Sequence, residues 1–210
     1  MESRQQSPSR AYWLKTLHQW HWISSAVCLL GMLLFSVTGI TLNHASQIEG
    51  SPKVERRAAQ MPDALQVQLA SLGSTERSAP VPHELLVWYD TAFGIAVDPA
   101  ASADWSAEEI YLALPRPGGD AWVRIDRETG DAEYERTDRG WISYFNDLHK
   151  GRHAGVAWSW FIDVFAVASL LFSITGLFIL KLHAANRPST WPIVGLGVVI
   201  PVVLALLFIH

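Results

Sequence analysis

Three stretches of this chain are long and apolar enough to cross a bilayer, and they dictate its architecture before any other feature is weighed. Residues 22–42 carry no charge, residues 156–180 carry only Asp163, and residues 191–209 carry none. A spanning helix needs roughly 20 mostly apolar residues, because in hydrocarbon a lone segment must satisfy every backbone N–H and C=O internally. The same stretches explain why half of the 210 residues are hydrophobic and ten are tryptophan. That composition is foreign to a soluble domain of this size. The first stretch exceeds a signal-peptide core and no small-x-small cleavage site follows it, so it reads as a retained anchor.

Charge orients the spans. Arg4, Arg10 and Lys15 precede the first, and Lys181 and Arg187 lie between the second and third, with Glu2 the only acid in either segment. Residues 45–152 hold 18 of the 20 acids and 11 of the 16 lysines and arginines, a net of −7. The positive-inside rule puts the N-terminus in the cytoplasm and residues 45–152 outside. The expected organisation is a cytoplasmic tail entering helix one (1–21), a first span (22–44) and an extracytoplasmic domain (45–152). A second span (153–181), a cytoplasmic loop (182–190) and a third span (191–210) follow. The acidic balance of the outer domain excludes nucleic acid as a partner.

Within 45–152, Val54, Ala58, Met61, Leu65, Leu69 and Leu72 recur near helical spacing, with Pro62 interrupting. Strand-like runs follow at 84–89, 93–97, 110–114, 122–125 and 132–135, separated by turn residues. One helix followed by an antiparallel meander predicts a small α+β domain. The fold class is therefore an α-helical membrane protein with three transmembrane helices and a small α+β outer domain. No Ser–His–Asp order, phosphate loop or Cys–His pair marks a hydrolase, and Cys28, the sole cysteine, lies mid-span as a small hydrophobe.

The spans carry a repeat. LLFSVTG stands at 33–39 and LLFSITG at 170–176, and histidines bracket both copies. His18 and His21 precede the first and His44 follows it; His149 and His153 precede the second and His183 follows it. The two helices run antiparallel, so these residues sort into a cytoplasmic set (His18, His21, His183) and an outer set (His44, His149, His153). Each set offers histidines from both helices, which is what six-coordinate haem b requires. From His21 to His44 is 23 residues, roughly 34 Å of helix, which places the two sets at opposite interfaces. The spacings His18/His21 and His149/His153 put two rings on one helix face each, which would also suit a divalent metal. Interfacial histidines that merely snorkel are the plain alternative. Asp163, the one acid inside a span, is a candidate proton acceptor, a partner for Thr38 or Thr41, or an orienting group for a ligand.

Other segments carry a family resemblance. LKTLHQWHW (14–22) running into LLFSVTG resembles the first helix of PepSY-associated transmembrane proteins. VRIDRETGD (123–131) resembles the end of a PepSY domain, and DLHKGRHAG (147–155) entering a helix resembles the family's second span. The resemblance implies a PepSY domain outside a helical bundle in the bacterial inner membrane, and points to haem-containing reductases of ferric siderophores. This chain departs from the larger reductases, with three spans and one PepSY-like unit.

The expected function is a haem-dependent transmembrane oxidoreductase with one or two haems b. It would pass electrons to a periplasmic acceptor, ferric iron or a ferric siderophore. A quinol or a separate flavoprotein would be the donor, since the chain has no flavin or nicotinamide motif, and a homodimer would help enclose the cofactor. Two rivals stand beside it: a membrane-anchored PepSY domain that binds a protein partner without catalysis, and a non-haem metal-binding accessory of iron uptake.

Overall fold

The computed structural model describes residues 8–48, 50–70 and 77–209. Arg4 of the basic tail, Leu72 of the helical pattern and the terminal His210 lie outside the described residues. The chain divides into two compact units, one made of residues up to Phe35 together with Trp160 onward, the other Ser36–Ser159.

The first unit holds most of α1 (Pro8–Asn43) and α5 (Gly155–His183), and all of α6 (Thr190–Phe208). All three are long and apolar enough to cross a membrane. Their outward faces carry exposed Leu30, Leu33, Val164, Leu170, Leu206 and Phe208, the inverse of a water-soluble helix and the expected state of a lipid-facing one. This is a membrane protein. No residue of the most apolar stretch of α6 is buried, so its side chains are left for lipid or another chain.

The second unit is an α+β domain: β1 (Lys53–Gln60), α2 (Asp63–Ala70), β2 (Arg77–Pro80), α3 (His83–Phe93), β3 (Ser102–Trp105), β4 (Glu109–Ala113), β5 (Gly119–Asp126), β6 (Asp131–Asp138) and α4 (Gly140–Lys150). The strands form one antiparallel sheet in the order β1-β6-β5-β4-β3-β2. Alternate residues of the central strands point inward: Ile110 and Leu112, Val123 and Ile125, Ala132 and Tyr134. Leu69 of α2, and Leu85, Tyr89 and Phe93 of α3, join them in a single core. Side chains alternate in a strand and recur every three or four residues in a helix, so these two patterns meet as two packed layers.

Several expectations are corrected. The helical pattern from Val54 divides: residues 53–60 are strand β1, and the helix begins only at Asp63, after Pro62. β1 is mostly exposed, and its identity comes from cross-strand charge pairing with β6, Glu55 opposite Arg136 and Arg56 opposite Glu135. The run at 84–89 is helix α3, not a strand. Five consecutive apolar residues cannot distinguish the two by period alone, but Leu85, Tyr89 and Phe93 at i, i+4 and i+8 share the buried face. Gly94, in the left-handed region at φ 64°, ends the helix. Residues 94–98 form no strand, and β2 and β3 were not foreseen.

The expected strands at 110–114, 122–125 and 132–135 lie in β4, β5 and β6. The turn between β5 and β6 explains the Asp-x-x-Thr-Gly spelling. Asp126 Oδ1 accepts the backbone N–H groups of Glu128 and Thr129, and Gly130 adopts φ 76°. The bond from the Thr129 N–H, above all, holds the Asp126 carboxyl below its ordinary pKa.

Tyr89 is fully buried and its hydroxyl meets no partner among the described residues. Burial raises the pKa of that phenol well above its usual value near 10. A raised folded-state pKa means the stability present below the unfolded value is lost as pH rises through about 10. Tyr89→Phe is expected to match or exceed the wild-type melting temperature at neutral pH, because an orphaned hydroxyl is removed. It is also expected to flatten the alkaline loss, both read by circular dichroism of the full chain in detergent between neutral pH and pH ~11.

Candidate functional site

In the first unit α1 and α5 lie against each other antiparallel: as the numbers rise along α1, those of its partners on α5 fall. His18 faces His183, His21 meets Phe172 and Thr175, and Gly31 meets Phe165. Close approach at Gly31 sets this pairing, since a Cβ there would stand 2.5 Å from Phe165 Cε2. Phe35 stacks on the same ring at 4.8 Å. Small residues let helix backbones approach in a membrane, where dispersion replaces the hydrophobic effect as the attraction. Cys28 is buried with its sulfur 3.6 Å from that of Met32, in keeping with a packing role.

His21 is half-buried on this interface. Its Nδ1 lies 3.0 Å from Thr175 Oγ1 and 3.2 Å from the Phe172 carbonyl, and its ring stacks on Phe172 at 4.6 Å. A carbonyl only accepts, so Nδ1 carries the proton and the lone pair sits on Nε2. Thr175 can receive that proton because its own hydroxyl donates back to Leu171 O at 2.6 Å. Gly176 completes the seat: a Cβ there would come within 3.3 Å of His21 Cε1.

His18 and His183 are exposed, and each binds its own helix through Nδ1, to Leu14 O and Ile179 O, both at 2.8 Å. Both rings therefore also keep the Nε2 lone pair. Their centroids are 6.2 Å apart and their planes cross at 86°. Two nitrogens about 2 Å from one metal, with ring radii of about 1 Å, give a centroid separation of roughly 6 Å. Near them lies a cavity of about 360 Å³ walled by Trp13, Leu14, Leu17, Phe178, Lys181 and Leu182. Its walls are apolar, with Lys181 the one cation among them.

His44, His149 and His153 lie in the second unit. His149, on α4, places Nδ1 2.7 Å from Thr38 Oγ1, and a Cβ at Gly39 would lie 3.7 Å from its Cε1. Next to it Thr41 Oγ1 bonds Asn146 Oδ1 at 2.7 Å. His44 is exposed with Nδ1 bound to Ile40 O at 3.0 Å. His153 departs from expectation. α4 ends at Lys150, Gly151 caps it in the left-handed region, and His153 itself has φ 52°, so His149 and His153 do not share a helix face.

Asp163 is exposed on α5, and Thr38 and Thr41 bond His149 and Asn146. No group of three or more His, Cys, Asp or Glu side chains placed to hold a metal occurs among the described residues.

Sequence alone offers Thr38 only as a partner for Asp163 and Thr175 in no role, although the repeat that holds both is the signal. Each Thr-Gly seats the histidine that precedes the other copy. Gly31→Ala is expected to lower the melting temperature, by an overpacking effect of about 1–3 kcal/mol. Adding Phe165→Leu should recover most of that loss in thermal melts of the detergent-solubilised protein; no recovery would mean that Phe165 does not set the contact.

No curated protein and no solved structure matches this chain. The model of one family, PepSY_TM-like, matches residues 12–210, nearly the whole length, from the first turns of α1 through all of α6. With three apolar helices and an antiparallel sheet domain in hand, the chain belongs to the PepSY_TM-like family of membrane proteins.

Proposed function

We propose that this protein is a b-type haem protein of the bacterial inner membrane that passes electrons to an acceptor outside. One observation carries the reading. His18 and His183 come from different helices, both keep the Nε2 lone pair, and their rings stand 6.2 Å apart and perpendicular. Haem iron held by two imidazoles alternates between ferric and ferrous forms and so carries one electron at a time.

The chain's own residues do the rest. The carbonyls of Leu14 and Ile179 orient the two rings and raise the basicity of Nε2, as outer hydrogen bonds do for metal-bound histidine. Trp13, Leu17 and Phe178 exclude water, and Lys181 supplies a positive charge for a carboxylate. Two histidine ligands would leave the iron no open position for substrate, so the haem would serve as a relay. His149, with His44 and His153 in the same unit, would serve a second haem on the outer side.

Arg10, Lys15, Lys181 and Arg187 support a cytoplasmic N-terminus, with the net −7 sheet domain in the periplasm. The resemblance of 14–22, 123–131 and 147–155 to PepSY-associated reductases points to ferric iron or a ferric siderophore as acceptor. A quinol or a separate flavoprotein supplies the electrons, and α6, with no buried residue in its apolar stretch, offers a surface for a homodimer.

The protein purified in detergent from haem-replete cells is expected to show a Soret band that sharpens and moves on adding dithionite. His18→Ala and His183→Ala are each expected to lose the same haem, while His83→Ala keeps full content. A colourless wild-type protein would overturn this reading in favour of a partner-binding PepSY domain.

A further inference from the structure

The repeated phrase has a use that helix packing alone does not explain. His21, which leads into the first copy, sits on Thr175 and Gly176 of the second. His149, which leads toward the second copy, sits on Thr38 and Gly39 of the first. The exchange is the same in chemistry at both places: imidazole Nδ1 to threonine Oγ1, with Cε1 over a residue that has no side chain. The surrounding connections differ, since His21 belongs to the spanning helix α1 and His149 to the short helix α4. Geometry that recurs on unlike scaffolds points to the seat itself as the retained feature.

We propose that LLFSxTG is a reciprocal histidine clasp, in which Thr175 and Thr38 are positioning residues that fix His21 and His149. The clasp deepens the haem reading and, for its effect on a cofactor, rests on it. His21 lies three residues from His18 on α1, and Thr175 lies eight residues from His183 on α5, about 12 Å of helix. The bond between His21 and α5 therefore fixes the helix pair close to the two rings offered to iron. Within the cytoplasmic set this assigns different work to each member: His18 and His183 ligate, and His21 locks the helices that carry them. A ligand shell holds its geometry only if its support is itself locked by packing and hydrogen bonds.

The seat excludes substitutes for stated reasons. Valine at 175 keeps the volume of threonine but removes the oxygen, leaving Nδ1–H with the longer bond to Phe172 O alone. Serine keeps the oxygen. Alanine at 176 keeps the hydroxyl and crowds Cε1, which already lies 3.3 Å from the position of a Cβ.

The test uses the full-length protein with isotope-labelled histidine in detergent micelles, and has two readouts. The first is solvent exchange of the His21 ring N–H by NMR, which needs no haem. Thr175→Val is expected to exchange roughly tenfold faster than wild type, Gly176→Ala to move the same way, and Thr175→Ser to stay near wild type. The second is redox titration of the haem that His183→Ala removes. Its midpoint potential is expected to shift in Thr175→Val, to return in Thr175→Ser, and to be untouched by Thr38→Val. Unchanged exchange in both Thr175→Val and Gly176→Ala would overturn the clasp, as would equal shifts from Thr38→Val and Thr175→Val. A colourless protein would end the haem reading while the exchange measurement still decided the clasp.

Discussion

A polar side chain inside a bilayer has no water to turn to, and that constraint organises the membrane part of this protein. Ser24 returns its hydroxyl to Trp20 O, and Thr175 returns its own to Leu171 O. His21 finds Thr175 and the Phe172 carbonyl, while Thr41 finds Asn146. Each bond uses up a group that hydrocarbon would leave unpaired at a penalty of several kcal/mol. The exceptions are informative for the same reason. Ser169 Oγ is buried with no partner among the described residues, and the Asp163 side chain is exposed on α5. An acidic residue within a span marks a place where something other than lipid is expected to stand.

The histidines follow from this constraint too. Four of them, His18, His21, His44 and His183, give Nδ1–H to a main-chain carbonyl. Three of the four use the carbonyl four residues back on their own turn of helix, a geometry that any exposed helical histidine can reach. What separates His21 is that its acceptors belong to another helix. The outcome is one tautomer with a common lone pair at Nε2, the form that binds a metal.

Much of this was legible in the sequence. The three apolar helices and the α+β domain rest on strong signals: uninterrupted apolarity and turn residues at Asp126 to Gly130. The misses have physical causes. β1 is spelled by charges that make sense only opposite β6, a non-local pairing invisible to local periodicity. α3 presents an unbroken apolar run whose helical face is declared only by what it packs on. His149 and His153 have helical spacing, yet Gly151 breaks the helix between them. Thr38 reads as a partner for Asp163, and Thr175 has no reading, until the histidines are seen resting on them.

The central proposal is that His18 and His183 would together hold one haem iron. Their planes cross at 86°, and two imidazole ligands kept at that angle would leave the iron d-orbitals that mix with ligand π-orbitals almost equal in energy. Low-temperature electron paramagnetic resonance of the oxidised protein tests this directly. The account predicts a strongly anisotropic low-spin ferric signal with a single large g-value, absent from His183→Ala. A high-spin signal alone, or a low-spin signal that survives in His183→Ala, would contradict it.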